Sequence, residues 1–351
     1  MADRRFRAVL GQTLSQLSKF GKIRLKFISQ FGITMPGQHT RLKGVRMSFK
    51  GRDIISIDSL SKEDILHILE VAHGLETKPR PTLLNGMILA SVFIEPSTRT
   101  RLSFESAMYR LGGKVLGFGD ASLTSMTKGE SLADTARITS TYCDVIAVRH
   151  PTPGTAQIFA DNADVPVINA GDGPNQHPTQ TLLDMYTIKK AKGKLDNLTV
   201  GFLGDLKYGR TVHSLVTALS HFKPRFYFVS PRSLAMPPEQ IKTLDSQGIE
   251  YHETDDFYGT LKHFDILYDT RIQKERFLDP AEYEKHKGVY VVDKRIIEFA
   301  KKDMKILHPL PRVDELSPEL DDTPYALYFQ QARNGIPVRQ ALLALVLGKI
   351  S

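Results

Sequence analysis

Met87-Ile-Leu-Ala-Ser-Val-Phe-Ile94 leads without a spacer into Glu95-Pro-Ser-Thr-Arg-Thr-Arg101, and a helical pattern then runs to about Leu111, where Gly112-Gly113 stops it. The first stretch is a near-continuous apolar run, which is how a strand buried on both faces of a parallel sheet reads. A turn between such a strand and a helix aims free backbone N–H groups at one point, where the helix dipole favours an anion. Ser97, Thr98 and Thr100 add hydroxyl donors, and Arg99 adds a forked, permanent charge suited to phosphate oxygens. The plainer alternative is a capped helix in which Ser97 only satisfies backbone groups. Capping alone does not call for two further hydroxyls and two arginines within the stretch 97–101. The turn is neither a P-loop nor a Gly-rich dinucleotide turn, which disfavours a nucleotide ligand.

The same alternation extends outward. Upstream, Ser61 and Asp64 form a capping box ahead of Ile65, Ile68, Leu69 and Ala72 at helical spacing. Downstream, apolar runs predict strands at Lys114–Phe118, Val145–Val148 and Val165–Asn169, with helices at Gly129–Tyr142, near Thr155 and at Pro178–Lys190. A second set follows Leu198: strands Thr199–Leu203, Arg225–Val229, Ile266–Tyr268, Val289–Val292 and Lys305–Leu307, and a helix at Arg210–Ser220. The apolar stretch Val338–Leu347 is too hydrophobic to stand alone. Repeated strand–helix alternation predicts an α/β protein of two domains, each a mostly parallel sheet covered by helices on both faces. The first domain is expected over 47–185, with the C-terminal helix 331–349 packing back on it, and the second over 186–330.

The 351-residue chain carries a formal charge of +8, which invites a nucleic-acid reading until the charge is located. Residues 1–46 hold ten of the 47 basic residues and one of the 39 acidic ones, leaving 37 basic and 38 acidic residues elsewhere. A phosphate-tracking surface needs a basic excess on the folded body, so no nucleic-acid partner is expected. The basic segment has the composition of a transit peptide or membrane-surface helix. Met47, which opens the patterned stretch MSFKGRDIISIDSL, offers the alternative of a start there, with the segment disordered or not native. No apolar run is long enough to span a bilayer, so no membrane association is expected and the cytoplasm is the expected compartment, with organelle import through the basic segment as the alternative. A single cysteine, Cys143, leaves no disulfide framework and no cysteine-rich metal site.

Further polar segments sit where strands end or helices begin, which is where open α/β sheets place ligands. Arg149-His150-Pro151 ends one strand, and Gly173-Pro-Asn-Gln-His177-Pro-Thr-Gln180 leads into a helix. Asp205–Arg210 leads into another, and Thr270-Arg271-Ile272-Gln273 follows a strand. Each has a bland reading alone: His177 as a loop histidine, Arg271 as a surface ion-pair partner. Together they gather arginines and a histidine around an anion-binding turn.

Ser97-Thr-Arg-Thr100, His177-Pro-Thr-Gln180, Gly204-Asp-Leu-Lys-Tyr-Gly-Arg210, Arg271-Ile-Gln-Lys-Glu-Arg276 and His308-Pro-Leu-Pro-Arg312 resemble, in order and spacing, the motifs of aspartate carbamoyltransferases. The likeness runs from about Gly51 to Gly348 and is strongest to the catalytic chains of enteric bacteria. It implies transfer of the carbamoyl group of carbamoyl phosphate to the amine of L-aspartate, an early step of pyrimidine biosynthesis, with no cofactor and no metal. It implies that Ser97, Thr98, Arg99, Thr100 and Arg149 hold the donor's phosphate. Thr100, Arg149 and His177 would face its carbonyl oxygen, and Gln180 would bind its amide. Arg210, Arg271 and Gln273, with the backbone of Pro309 and Leu310, would hold aspartate. Ser125 and Lys128 would reach the neighbouring subunit's site in a homotrimer, to which a regulatory chain can attach in a larger complex. Glu95 would pair with Arg210 and Arg276 to hold the two domains closed. On this resemblance 47–185 binds carbamoyl phosphate and 186–330 binds aspartate.

The chain departs from the family pattern at Asp269, where an uncharged residue is usual. A strand residue there shares a face with Arg271, an arrangement expected to weaken aspartate binding or redirect the arginine. Phe277 reads as an insertion after Arg276, and the loop at Lys128 is one residue shorter than the enteric form. The related ornithine carbamoyltransferases carry a cysteine where this chain reads His308-Pro309, and Arg271-Ile-Gln273 offers positive charge where ornithine's side-chain amine needs a negative group. Aspartate is the expected acceptor. A catalytically silent homologue that only binds phosphate is the reading from another class, and the presence of Thr100, Arg149 and His177 speaks against it.

Overall fold

The computed structural model describes residues 48–120, 124–273 and 279–351. The basic segment 1–46, Arg276 and Phe277 lie outside them. Helix α1 (Lys62–Thr77) opens with both bonds of the capping box, Ser61 Oγ accepting from Asp64 N–H and the Asp64 carboxylate accepting from Ser61 N–H. It buries Ile65, Ile68, Leu69, Ala72 and Leu75, the stripe that its sequence spacing predicts.

Strand β1 (Ile88–Phe93), helix α2 (Thr98–Arg110), strand β2 (Lys114–Phe118), helix α3 (Leu132–Ser140), strand β3 (Val145–His150), helix α4 (Thr155–Asn162) and strand β4 (Val167–Asp172) build a first sheet. Its order is β2-β1-β3-β4, all parallel. β1 is flanked on both sides, which is why its sequence is almost continuously apolar. Helix α5 (Pro178–Lys192) leads to the second set: strand β5 (Thr199–Gly204), helix α6 (Arg210–Ser220), strand β6 (Arg225–Val229), helix α7 (Pro238–Gln247), strand β7 (Glu250–Thr254), the short helix α8 (Phe257–Thr260), strand β8 (Ile266–Thr270), helix α9 (Pro280–His286) and strand β9 (Lys305–Leu307). That sheet runs β7-β6-β5-β8-β9, again parallel throughout. Helix α10 (Tyr328–Val346) packs on α1, α2 and α5 and buries Val338, Ala341, Leu342 and Leu345 among them. Burying one such leucine stabilises the fold by about 1.5–3 kcal/mol.

In each sheet the chain first builds outward in one direction and then crosses to the other side. The reversals fall between β1 and β3 and between β5 and β8. Parallel sheets leave a crevice beyond the carboxyl ends of their strands at such points, and the polar segments that end or follow β1, β3, β5 and β8 are Glu95–Arg101, Arg149-His150, Asp205–Arg210 and Arg271–Gln273.

The expected strand at Val289–Val292 does not form. Val292 makes one isolated bridge to Leu316. Gly288, at φ +69, and the 3-10 turn Lys294–Glu298, capped by Asp293, bracket it too closely for a ladder. In the other direction, Glu250–Thr254 forms β7 although its sequence is polar. It pairs only with β6, and an edge strand with solvent beside it needs no apolar run. Helix α10 starts earlier than its apolar patch, and Pro337 lies inside it. Among the described residues no helix is long and apolar enough to cross a membrane.

Candidate active site

One cavity of about 580 Å³ opens at the carboxyl ends of β1, β3, β5 and β8. Glu95, Ser97, Thr98, Arg99, Thr100, Arg149, His177, Gln180, Arg210, Arg271, Gln273, Pro309 and Leu310 all line it. Ser125 and Lys128 do not; they occupy an exposed 3-10 turn, Ser125–Lys128, elsewhere on the chain. Glu95 is the sole acidic residue in the lining among the described residues, against Arg99, Arg149, Arg210, Arg271 and Arg339.

The first wall is the N-terminus of α2. Ser97 is its N-cap, with extended backbone, yet its hydroxyl makes no capping bond. The plain-cap reading fails here, because the cap side chain is not spent on the helix. Thr100 is buried. The Arg99 guanidinium is held below its ordinary pKa by loss of solvent and by the charge of Arg149, so the wall is electrostatically short of an anion.

Arg149 leaves the end of β3 almost buried. Its Nη2 donates to Glu95 Oε1 at 2.7 Å, and its Nη1 donates to the Ala170 carbonyl at 3.2 Å. Gly171, at φ +119, makes room: a Cβ there would lie 2.9 Å from Arg149 Nη1 and 3.4 Å from Arg210 Nη2. Any side chain at this position would collide with a guanidinium. Glu95 lies 4.0 Å from Arg210 Nη2, so its shorter pair is with Arg149 rather than with the expected Arg210. The reason is geometric, since both residues end adjacent strands, whereas Arg210 arrives from the second sheet and is also drawn to the Gly173 carbonyl. The expected contact with Arg276 lies outside the described residues. Glu95 Oε2 and Arg149 Nε are buried without a partner among the described residues.

His177 is the N-cap of α5 and is 4% exposed. Burial, then the charges of Arg149, Arg210 and Arg339, hold its pKa well below the usual histidine value, so the ring is neutral and carries a single N–H. Its Nδ1 is buried without a partner among the described residues, and its Nε2 stands 3.5 Å from Arg149 Nη1, the outer limit of a hydrogen bond. One turn on, Gln180 Nε2 donates to Asp184 Oδ1 at 2.8 Å.

The opposite wall comes from the second sheet. Arg210 is the first residue of α6. Gln273 Nε2 donates to the Tyr208 carbonyl at 3.1 Å, and Asp205 accepts from Tyr208 N–H at 2.9 Å and from Gln273 N–H at 3.3 Å. The buried Asp205 therefore staples the Asp205–Arg210 loop to the segment that carries Arg271 and Gln273. The third part is the loop after β9. His308 Nδ1 accepts from Leu310 N–H at 2.9 Å, which leaves the ring proton on Nε2 to be given to Glu315 Oε1 at 2.9 Å. Leu310 sits at φ +55, a left-handed conformation that costs a branched side chain energy. The His308 bridge holds it there, and Pro309 and Leu310 both line the cavity.

Asp269 is buried and is not among the residues lining the main cavity. It faces a separate cavity of about 230 Å³ with Glu315, and Arg271 borders both spaces. Burial first, then Glu315, raises the Asp269 carboxyl well above the usual range. Sequence reading also missed Gln331 and Arg339, which reach the cavity from α10, and Asp184 behind it. The signal was weak: Gln331 and Arg339 stand among other polar residues, Gln330, Arg333, Asn334 and Gln340, ahead of the apolar stretch Ala341–Val346.

A cavity with arginines on two facing walls fits two anionic ligands held together, and the known proteins that share the chain's pattern agree. Residues 52–190 match the sequence model of the aspartate/ornithine carbamoyltransferase carbamoyl-P binding domain, and residues 196–346 match that of the Asp/Orn binding domain. The aspartate carbamoyltransferase catalytic subunit of Thermococcus onnurineus is 56% identical over 306 residues, covering 86% of this chain and 99% of the relative. The catalytic subunit of M. jannaschii aspartate transcarbamoylase superposes with a TM-score of 0.80 at 51% identity, over 85% of this chain and 98% of that one. The Trypanosoma cruzi aspartate transcarbamoylase in complex with carbamoyl aspartate and phosphate does so with a TM-score of 0.81 at 39% identity, over 85% of this chain and 97% of that one. With both halves matched and most of the chain aligned at more than half identity, the chain belongs to the aspartate/ornithine carbamoyltransferase family.

Proposed function

We propose that the protein transfers the carbamoyl group of carbamoyl phosphate to the amine of L-aspartate, giving N-carbamoyl-L-aspartate and phosphate, in the cytoplasmic synthesis of pyrimidines. The observation that carries the reading is the single cavity with the α2 N-terminus, Arg99 and Arg149 on one wall and Arg210, Arg271 and Gln273 on the other. The first wall suits a phosphate and the second a dicarboxylate, since a guanidinium fork matches a carboxylate in a bidentate way. His177 lines the same cavity, its Nε2 3.5 Å from Arg149 Nη1.

In this reading Ser97, Thr98, Arg99, Thr100 and Arg149 hold the donor's phosphate. The aspartate amine attacks the carbonyl carbon, the new C–N bond forms as the C–O bond to phosphate breaks, and the departing phosphate takes the amine's proton. Negative charge grows on the carbonyl oxygen. Thr100, Arg149 and the neutral N–H of His177 meet it there, and such preorganised donors are usually a large catalytic term. Gln180 accepts from the carbamoyl NH2. Arg210, Arg271, Gln273 and the Pro309-Leu310 backbone hold aspartate, and Glu95 ties the two walls. In this reading the donor domain is 47–185 with 331–349, and the acceptor domain is 186–330.

Ser125 and Lys128 are exposed and off their own chain's cavity, which supports a homotrimer in which they complete a neighbour's site. The designation of the relatives as catalytic subunits supports a regulatory chain as a further partner. A lone Cys143 thiol, which burial pushes up to about 11, suits a reducing compartment.

The test offers L-aspartate and L-ornithine side by side with carbamoyl phosphate and measures carbamoylated product and phosphate. Aspartate is expected to be preferred by at least about a thousandfold in kcat/KM, because a site built for a missing polar group rejects strongly. Turnover of ornithine at a comparable rate, or none of aspartate, overturns the reading.

A further inference from the structure

Asp184 lies on α5 one turn beyond Gln180 and is fully buried. Three donors from three different elements converge on its carboxylate. Gln180 Nε2 reaches Oδ1 at 2.8 Å, Gln331 Nε2 from α10 reaches the same oxygen at 2.6 Å, and Tyr268 Oη from β8 reaches Oδ2 at 2.8 Å. The far end of Gln331 is fixed as well, since its Oε1 accepts from His308 N–H at 2.8 Å. A backbone N–H can only donate, so Gln331 must present its oxygen to His308 and its NH2 to Asp184. An unbroken line of oriented groups therefore runs from the His308–Leu310 loop through Gln331 and Asp184 to Gln180.

We propose that Asp184 is a positioning residue that fixes which end of the Gln180 amide faces the donor: with the NH2 committed to the carboxylate, the carbonyl oxygen is turned to the cavity, where it selects a donor bearing N–H over one that does not. A carboxamide is nearly symmetric in shape, so packing alone does not choose its orientation; a partner that only accepts does. Burial raises the Asp184 pKa to about 7, while the bonds from Gln331, Tyr268 and Gln180 and the charge of Arg339 favour the ionised form. Above neutrality both of its oxygens accept. The inference rests on the proposed reading of Gln180 as the carbamoyl-amide contact.

The experiment compares carbamoyl phosphate with acetyl phosphate, which puts a methyl group where the NH2 stands, by measuring the dissociation constant of each at about pH 8. Wild type is expected to prefer carbamoyl phosphate by roughly tenfold, the worth of one hydrogen bond. In Asp184→Ala the Gln180 amide is free to flip, and the preference falls to about unity through loss of carbamoyl phosphate affinity, with acetyl phosphate binding held. Asp184→Asn keeps the volume and offers one oxygen to both glutamines while its NH2 turns to the Tyr268 oxygen, so it is expected to retain the preference even if the alanine variant does not fold. Equal weakening of both ligands in Asp184→Ala, or loss of the preference in Asp184→Asn, overturns the proposal. Gln180→Ala separates the two readings. If it leaves the preference intact, Gln180 is not the amide contact. If it abolishes the preference while Asp184→Ala does not, the positioning role alone is wrong.

Discussion

Glu95 Oε1 accepts from Arg149 Nη2 at 2.7 Å, and both side chains extend from the ends of adjacent parallel strands, β1 and β3. The carboxylate thus occupies one arm of an arginine proposed to hold a phosphate and a developing oxyanion. Arg210 stands 4.0 Å from the same oxygen. Glu95 is the point at which the two walls of the cavity meet electrostatically.

Removing that carboxylate has opposite consequences on the two sides. Glu95→Ala takes an anion out of the phosphate wall, so phosphate binding, measured by calorimetry, is expected to be unchanged or tighter. The link to Arg210 is lost at the same time, and kcat/KM for aspartate is expected to fall by at least about tenfold, as for a part-buried charge pair. Weaker phosphate binding in this variant would mean that Glu95 orients Arg149 rather than competing for it.

His177 is kept neutral by burial and by Arg149, Arg210 and Arg339, its pKa lying well below the usual histidine value. A lowered histidine pKa means the uncharged form persists as pH falls, so kcat is not expected to show a histidine ionisation between about pH 6 and 8. His177→Ala is expected to cost about a hundredfold or more in kcat, the usual value of an oxyanion donor, with a smaller change in donor affinity. A wild-type limb near pH 6.5 that vanishes in the variant would show a charged imidazole at work.

Much of this was legible in the sequence. Parallel strands announce themselves by apolar runs, so β1, β3, β5 and β8 and the polar residues at their ends could be placed from the chain alone. What escaped were features carried by groups distant in sequence. The Arg149 partner of Glu95 depends on strand register, which no local pattern encodes. Val289–Val292 has a strand's composition but pairs through a single bridge, Val292 to Leu316, and β7 has a neighbour without the composition. Asp184, Gln331 and Arg339 sit in two different helices, and only the packing of α10 against α5 brings them together. Asp269 looked like a threat to Arg271 because alternation gives a face but not an environment, and the structure buries Asp269 beside Glu315 at a separate cavity.

The same buried Asp184 sets a pH dependence of stability. Its carboxyl is pushed up to about 7 from an ordinary 3.8, first by burial. Between those values the folded protein keeps a proton that the unfolded chain has released, so stability falls as pH rises through the window. At about 1.4 kcal/mol per tenfold, the whole effect is on the order of 4 kcal/mol. Asp184→Asn cannot titrate. Its denaturation midpoint is expected to decline less than that of wild type between about pH 5 and 8, and parallel profiles would show that the carboxyl is ionised throughout.

Lys128 tests the assembly. It sits on an exposed turn away from its own chain's cavity, and in the proposed homotrimer it contributes to catalysis across a subunit boundary. If sites are shared, Lys128→Ala and His177→Ala are each nearly inactive as pure oligomers, because every site lacks one member. In a closed ring with heterologous contacts, mixing the two after dissociation creates boundaries at which an intact His177 faces an intact Lys128. A trimer of either mixed composition contains one such site, so activity is expected to return to up to about a third of wild type in fully mixed trimers. The measurement is carbamoyl aspartate formed by the reassociated mixture, with hybrid oligomers verified by native mass spectrometry. Hybrids that form but stay inactive would show that each chain supplies its own Lys128, by a movement of the turn toward its own cavity.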